Sequence, residues 1–264
     1  MTTDERICEL REKVLRVAEG KANPKDVEAE IRREIRASRG NVEMLIEHRM
    51  NLGQLFKWTK DWAKMREQHR KVLKLDPASV YAMLQMAFSY SCRRSPKKER
   101  EWFLLAYQTA VANGDHHYQL SALNLLAMCD IEDSKSLVNW LDSICRILEC
   151  APRDRFLSVG ITDLLAAKGK AEAALPLVEC LIKHVIDREY PQTYLRKAFL
   201  SFVKIHRLLG QTDEEIRHLL EGFRPVDAGE DRDKGFDESI AWALDPDTPQ
   251  YSGFDPRDTV WESE

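Results

Sequence analysis

The sequence predicts an all-α protein. Glycine and proline are few, 11 and 10 in 264 residues, and many of the prolines lie between helical patterns. Apolar residues recur at helical spacing along most of the chain, as with Leu137, Leu141, Ile144 and Leu148. Helix–turn–helix phrases also repeat, with Gly169 and Gly210 at corresponding turns 41 residues apart.

The first helix is expected over Asp4 to Glu19, with Ile7, Leu10, Val14, Leu15 and Val17 on its buried side. Asn23-Pro24 stops and restarts the chain, Asn as a cap and Pro at the first helical position. The helix that follows, to about Ser38, has a thin stripe of Val27, Ile31 and Ile35. Arg32, Arg33, Arg36 and Arg39 occupy its other faces. Ile46 to Ser79 then forms a pair of helices turning at Lys60-Asp61-Trp62. Its first helix carries Leu52-Gly53 and Phe56, and its second closes on Leu73, Leu75 and Asp76-Pro77.

A second pair begins at Val80 with the phrase LQMAFSY and turns through the longer stretch Cys92-Arg93-Arg94-Ser95-Pro96-Lys97-Lys98. Trp102, Leu105 and Ala110 mark its second helix. Five basic residues fall between Arg93 and Arg100, which suits either a solvated turn or a docking patch for an acidic partner. Asn113-Gly114-Asp115 punctuates the chain before a third pair, Leu120 to Ile131 and then Leu137 to Leu148, closed at Ala151-Pro152. Gly169 turns the fourth pair, whose second helix holds Ala173, Ala174, Val178, Leu181 and Ile182 and should bend at Pro176. The fifth runs from Tyr194 to Leu209, turns at Gly210 and continues from Glu214 to Glu221.

From Arg224 onward the composition shifts. Residues 224–264 hold 4 Lys+Arg and 12 Asp+Glu, a net of −8, which leaves +4 on the rest of a chain of net charge −4. A mildly basic body therefore carries an acidic tail. Asp237 is expected to cap one short helix there through Trp242 and Leu244. Phe236, Tyr251, Phe254 and Trp261 are unusual in a merely solubilising tail and suggest docking, on the chain itself or on another protein.

The stretch Ile46 to Ser79 resembles one tetratricopeptide repeat (TPR), a 34-residue helix–turn–helix with an L-G-x2-Y core and a closing Pro. Leu52-Gly53 with Phe56 fills the core and Asp76-Pro77 the close. Arg49 stands where the family has Trp, while Met65 and His69 replace its small and aromatic positions. The resemblance implies a right-handed α-solenoid of about five helix pairs, because a single pair cannot bury its own apolar face. It divides the chain into capping helices at 1–40, TPR-like repeats at 41–223 and the acidic tail at 224–264.

In such a repeat the first helix lines a concave groove. Carried over, those positions are Met50, Gln54, Lys57 and Trp58, then Tyr81, Leu84, Phe88 and Cys92. Leu125, Cys129 and Asp133 follow in the third pair, Val159 and Asp163 in the fourth, and Lys197, Lys204 and Arg207 in the fifth. Leu84 and Phe88 would anchor an apolar segment, with Lys204 and Arg207 steering its acidic residues. Repeat proteins that grip chaperone carboxylates use Lys and Asn where this chain has Met50, Gln54 and Phe88, so that role is not expected.

No catalytic signature is present: no P-loop, G-x-G-x-x-G, G-x-S-x-G or H-E-x-x-H. Adjacent His116 and His117 cannot share a helix face as metal ligands and are expected to be exposed, so neither metal nor cofactor is anticipated. The six cysteines, Cys8, Cys92, Cys129, Cys145, Cys150 and Cys180, form no C-x2-C and are expected to be reduced and buried. That points to the cytoplasm, with the nucleus as the alternative. The charged N-terminus is unlike a signal peptide, and no run of about 18 apolar residues suggests a membrane span. The expected function is a non-catalytic adaptor that binds a protein or peptide segment, with its tail able to fold back. The rival is RNA binding through the Arg32–Arg39 and Arg93–Arg100 clusters.

Overall fold

The computed structural model describes residues 3–150, 160–225 and 230–248. Thirteen α-helices and no strand occur among them. The chain divides into two compact units, Met1–Asn113 and Gly114–Glu264, at the Asn113-Gly114-Asp115 punctuation.

The first unit contains α1 (Thr3–Ala18), α2 (Pro24–Ala37), α3 (Val42–Trp58), α4 (Trp62–Leu75), α5 (Val80–Ser91) and α6 (Pro96–Asn113). Short polar side chains set the starts: Asn23 accepts from the Lys25 amide, Asn41 from Met44, Asp61 from Lys64 and Ser79 from Ala82. Each helix packs on the next, and α1 also lies against α3. Leu10, Val14, Val27, Ile31, Leu52, Leu55, Phe56 and Met65 form one buried cluster. Arg6 ties α1 to α2 through Glu30 and Glu34, each at 2.8 Å. Leu15, expected on the buried side of α1, is exposed instead, because Leu10 and Val14 complete the stripe that α2 and α3 cover.

At Gly53 the backbone of α3 approaches the His69 ring of α4 so closely that a Cβ there would lie 2.5 Å from Nε2. A side chain at this position would push the helices apart. The small residue of the L-G core therefore has a physical cause.

The second unit contains α7 (His116–Cys129), α8 (Ser134–Cys150), α9 (Gly160–Ala167), α10 (Ala171–Asp187), α11 (Gln192–Leu208), α12 (Asp213–Glu221) and α13 (Glu230–Leu244). Within it α7 packs on α8, α9 on α10 and α11 on α12. First helices also touch in succession, α7 to α9 to α11, and α8 touches α10. Gly169 and Gly210 turn two of these pairs with φ of 70° and 84°, a region that favours glycine. Helix α7 starts a turn earlier than expected because Asp115 accepts from the Tyr118 amide and caps it. Ala151-Pro152 and Val159 lie outside the described residues.

The acidic tail contributes α13, which packs on α11 and α12. It begins at Glu230, so Asp237 is inside the helix and not its cap. Arg224 ties the helix to α12: its guanidinium gathers Glu221 (2.7 Å), Asp233 (3.4 Å) and Asp237 and sits 4.8 Å from the Phe236 ring. Phe236, Ile240, Ala243 and Leu244 are buried, and Phe236 meets Phe199 of α11 edge-on at 5.2 Å. Part of the tail thus docks on its own last helix pair, while Tyr251, Phe254 and Trp261 lie outside the described residues. Phe236→Ala is expected to cost about 3 kcal/mol in urea unfolding, the usual loss for a buried Phe. A loss under about 1 kcal/mol would mean that α13 does not hold to α11 in solution.

Candidate partner-binding site

Five of the residues carried over to the groove come together on the α3–α5 face of the first unit. Helical spacing places Gln54, Lys57 and Trp58 on adjoining turns of α3, and Tyr81 and Phe88 on α5. The Gln54 amide donates to the Tyr81 hydroxyl. The Lys57 ammonium lies 4.9 Å from the Trp58 ring centroid and 5.0 Å from that of Phe88. Its side chain is only 6% exposed, so its charge is held by the two aromatic faces. Phe88 in turn meets Trp62 edge-on at 5.8 Å. Trp58 remains 42% exposed, and Met50 is half-buried.

Other expected lining residues are placed differently. Leu84 is 1% exposed and Leu125 is also buried, so both belong to the core and offer nothing to a ligand. Lys204 is paired with Asp163 at 3.2 Å, and burial pushes that carboxyl above its ordinary range. Arg207 grips Asp213 at 2.8 and 2.9 Å and donates to the Leu244 carbonyl at 2.8 Å. With these partners, Lys204 and Arg207 hold the fold together and do not steer a ligand. Asp133 is exposed and accepts from Ser136 at 2.7 Å, and Lys197 lies 6.0 Å from the Tyr194 ring. Cys92 is exposed and Cys129 half-buried.

No disulfide joins the cysteines among the described residues, but none of them is fully buried; Cys8, Cys92 and Cys150 are exposed because they sit on the flanks of their apolar stripes. Cys145 and Cys180 are half-buried beside an open cleft of about 850 Å³ between α8 and α10. His116 and His117 are half-buried in the first turn of α7, and no cluster of three metal-ligating side chains occurs among the described residues. No helix among them is long and apolar enough to cross a membrane.

A second group on the first unit escapes sequence reasoning. Arg66 of α4 is 7% exposed, and its buried Nη1 has no hydrogen-bond partner. Its guanidinium carbon lies 5.4 Å from the Tyr90 ring centroid, and the Lys98 ammonium lies at the same 5.4 Å. Burial lowers the Arg66 pKa, and Arg93 and Arg70 lower it further by repulsion. The basic run from Arg93 to Arg100 signalled half of this cluster. Nothing in the pattern of α4 marks Arg66 as buried.

No family profile matches the chain, and no curated protein sequence matches it. Among solved structures, the crystal structure of BtubC (BKLC) from P. vanneervenii is similar, with a TM-score of 0.52 and 15% identity. The match covers 87% of this chain and 96% of that one. BtubC is a distant helical-repeat neighbour, and at this identity the likeness is one of fold alone.

Proposed function

We propose that the chain is a non-catalytic adaptor whose helix pairs are TPR-like repeats, of the kind that build right-handed α-solenoids. Its α3–α5 face takes an extended or helical segment of a protein partner. The exposed Trp58 carries this reading. A large aromatic ring left in water, braced by Lys57 and flanked by Phe88, is the usual make-up of a binding hot spot. Gln54 and Tyr81 beside it supply polar groups that can fix a segment's register. Leu84 serves beneath this face as support, not as an anchor.

Peptides selected from a random displayed library on the full-length protein test this. They are expected to bind Trp58→Glu at least about tenfold more weakly, the loss of a modest hot spot. Thermal melting should change little, because much of the ring is exposed and the new carboxylate can take over the charge of Lys57. Selection of no peptides, or of peptides indifferent to Trp58→Glu, overturns the proposal.

A further inference from the structure

The cluster around Tyr90 has an electrostatic imbalance that the fold does not resolve. Buried arginines are ordinarily paired with carboxylates, because an unpaired charge removed from water is costly. Arg66 has no such partner; the charged side chains that bear on it are the cations Arg93 and Arg70, with Tyr90 the one group that favours its charge. Lys98 sits on the same ring. Among the described residues none of Arg66, Arg70, Arg93 and Lys98 makes an ion pair with a carboxylate. Arg66 and Lys98 thus meet on one ring, Arg93 and Arg70 add their repulsion to Arg66, and the buried Arg66 has a donor without a partner.

We propose that this cluster binds a dianionic oxyanion, the phosphoryl group of a phosphorylated side chain on a protein segment. A phosphoryl group carries about −1.5 to −2 charge and three acceptor oxygens, which suits several converging donors better than one carboxylate would. A peptide fits better than a nucleic acid. The Tyr90 ring is occupied by two cations and is not free to stack on a base. Arg66 and Lys98 also share a single ring and do not line a stripe, on a chain of net charge −4. Arg66 lies one turn beyond Trp62, which packs on Phe88, so the anion site adjoins the aromatic face. The source of the phosphoryl group, but not the anion site itself, rests on the segment-binding reading given above.

Two degenerate peptide libraries, fixed at their central residue as phosphoserine or as serine, distinguish the possibilities on the full-length protein. The phosphoserine library is expected to be retained at least about tenfold better, as for a charge-assisted contact. Inorganic phosphate at constant ionic strength should compete with it. Arg66→Met should abolish the preference while melting no lower than wild type, since it removes a charge that nothing neutralises. Arg93→Gln with Lys98→Gln, both at exposed positions, should weaken the preference without touching the core.

Absence of any preference, or a preference that survives all three substitutions, overturns the anion site. Retention through Arg66 on phosphatidylcholine vesicles carrying a phosphoinositide, or on single-stranded RNA, with no phosphopeptide preference, overturns the peptide assignment. Trp58→Glu separates the two readings. If it abolishes serine-library binding and there is no phospho-preference, only the anion proposal fails. If serine-library binding is unmoved by it and the phospho-preference depends on Arg66, the aromatic face fails and the anion site stands.

Discussion

Gly53→Ala is expected to destabilise the protein by about 2 kcal/mol, against the sign that helix propensity predicts. In the middle of an exposed helix the same change would stabilise by about 1 kcal/mol. Here the new methyl would lie 2.5 Å from His69 Nε2 and 2.9 Å from Cε1, closer than real carbon contacts allow. His69 has no exposed surface, so its ring can move aside only against the buried side chains around it. The α3–α4 contact must open instead, and with it the cluster containing Leu52, Leu55 and Met65. Urea unfolding of a double-mutant cycle with His69→Ala isolates the clash. In that background Gly53→Ala should become neutral or stabilising, a coupling that two independent sites would not show. A Gly53→Ala protein as stable as wild type would mean that the two helices are not held this closely.

The same pair of residues explains what could be read in the chain before its folding was known. Helix positions were legible because caps and apolar periods are local: Asn23-Pro24, Asp61, Ser79 and Gly169 act within a turn of themselves. The need for a small residue at Gly53 was legible through the resemblance, but its partner His69 departs from it. Burial from a second neighbour was not legible. Leu84 and Leu125 sit at positions that could face a groove, yet the periodicity of one helix does not say how many other helices cover it. Charge pairing across distance was equally hidden. Lys204 finds Asp163 41 residues away, and Arg207 finds the Leu244 carbonyl 37 away. Arg224 gathers Glu221 of α12 with Asp233 and Asp237 of α13, a pairing that the composition of the acidic tail does not show. Arg66 was the hardest to see, because arginine is a residue type that is almost never buried without a partner.

His69 also makes the protein acid-sensitive well above the range where carboxylates titrate. Its two ring nitrogens have no hydrogen-bond partner, and its nearest ring neighbour is Tyr81 at 6.2 Å. Burial alone pushes the imidazole pKa down to about 3. In the unfolded chain the same ring takes its proton near pH 6.5, as a free histidine does. The sign follows: the folded state holds the ring neutral while the unfolded state becomes charged. The stability is therefore whole above about pH 6.5 and is lost as pH falls from there toward about 3. Each pH unit in that window should lower the folding constant about tenfold. His48, buried with both nitrogens unpartnered, shifts in the same direction through burial and steepens the slope. Between about pH 6.5 and 5 most carboxylates of the unfolded chain are still ionised, and Asp163, whose pKa burial raises, is common to wild type and variant, so the difference between the two proteins reports His69. Urea unfolding of wild type and His69→Leu across that window is the measurement. The variant should shed about one proton from the linkage slope and match or exceed wild type at neutral pH, because it removes two unpartnered polar atoms. An identical slope in the two proteins would show that His69 is reached by water or finds a partner in solution, and that the tight α3–α4 contact at Gly53 is looser than described.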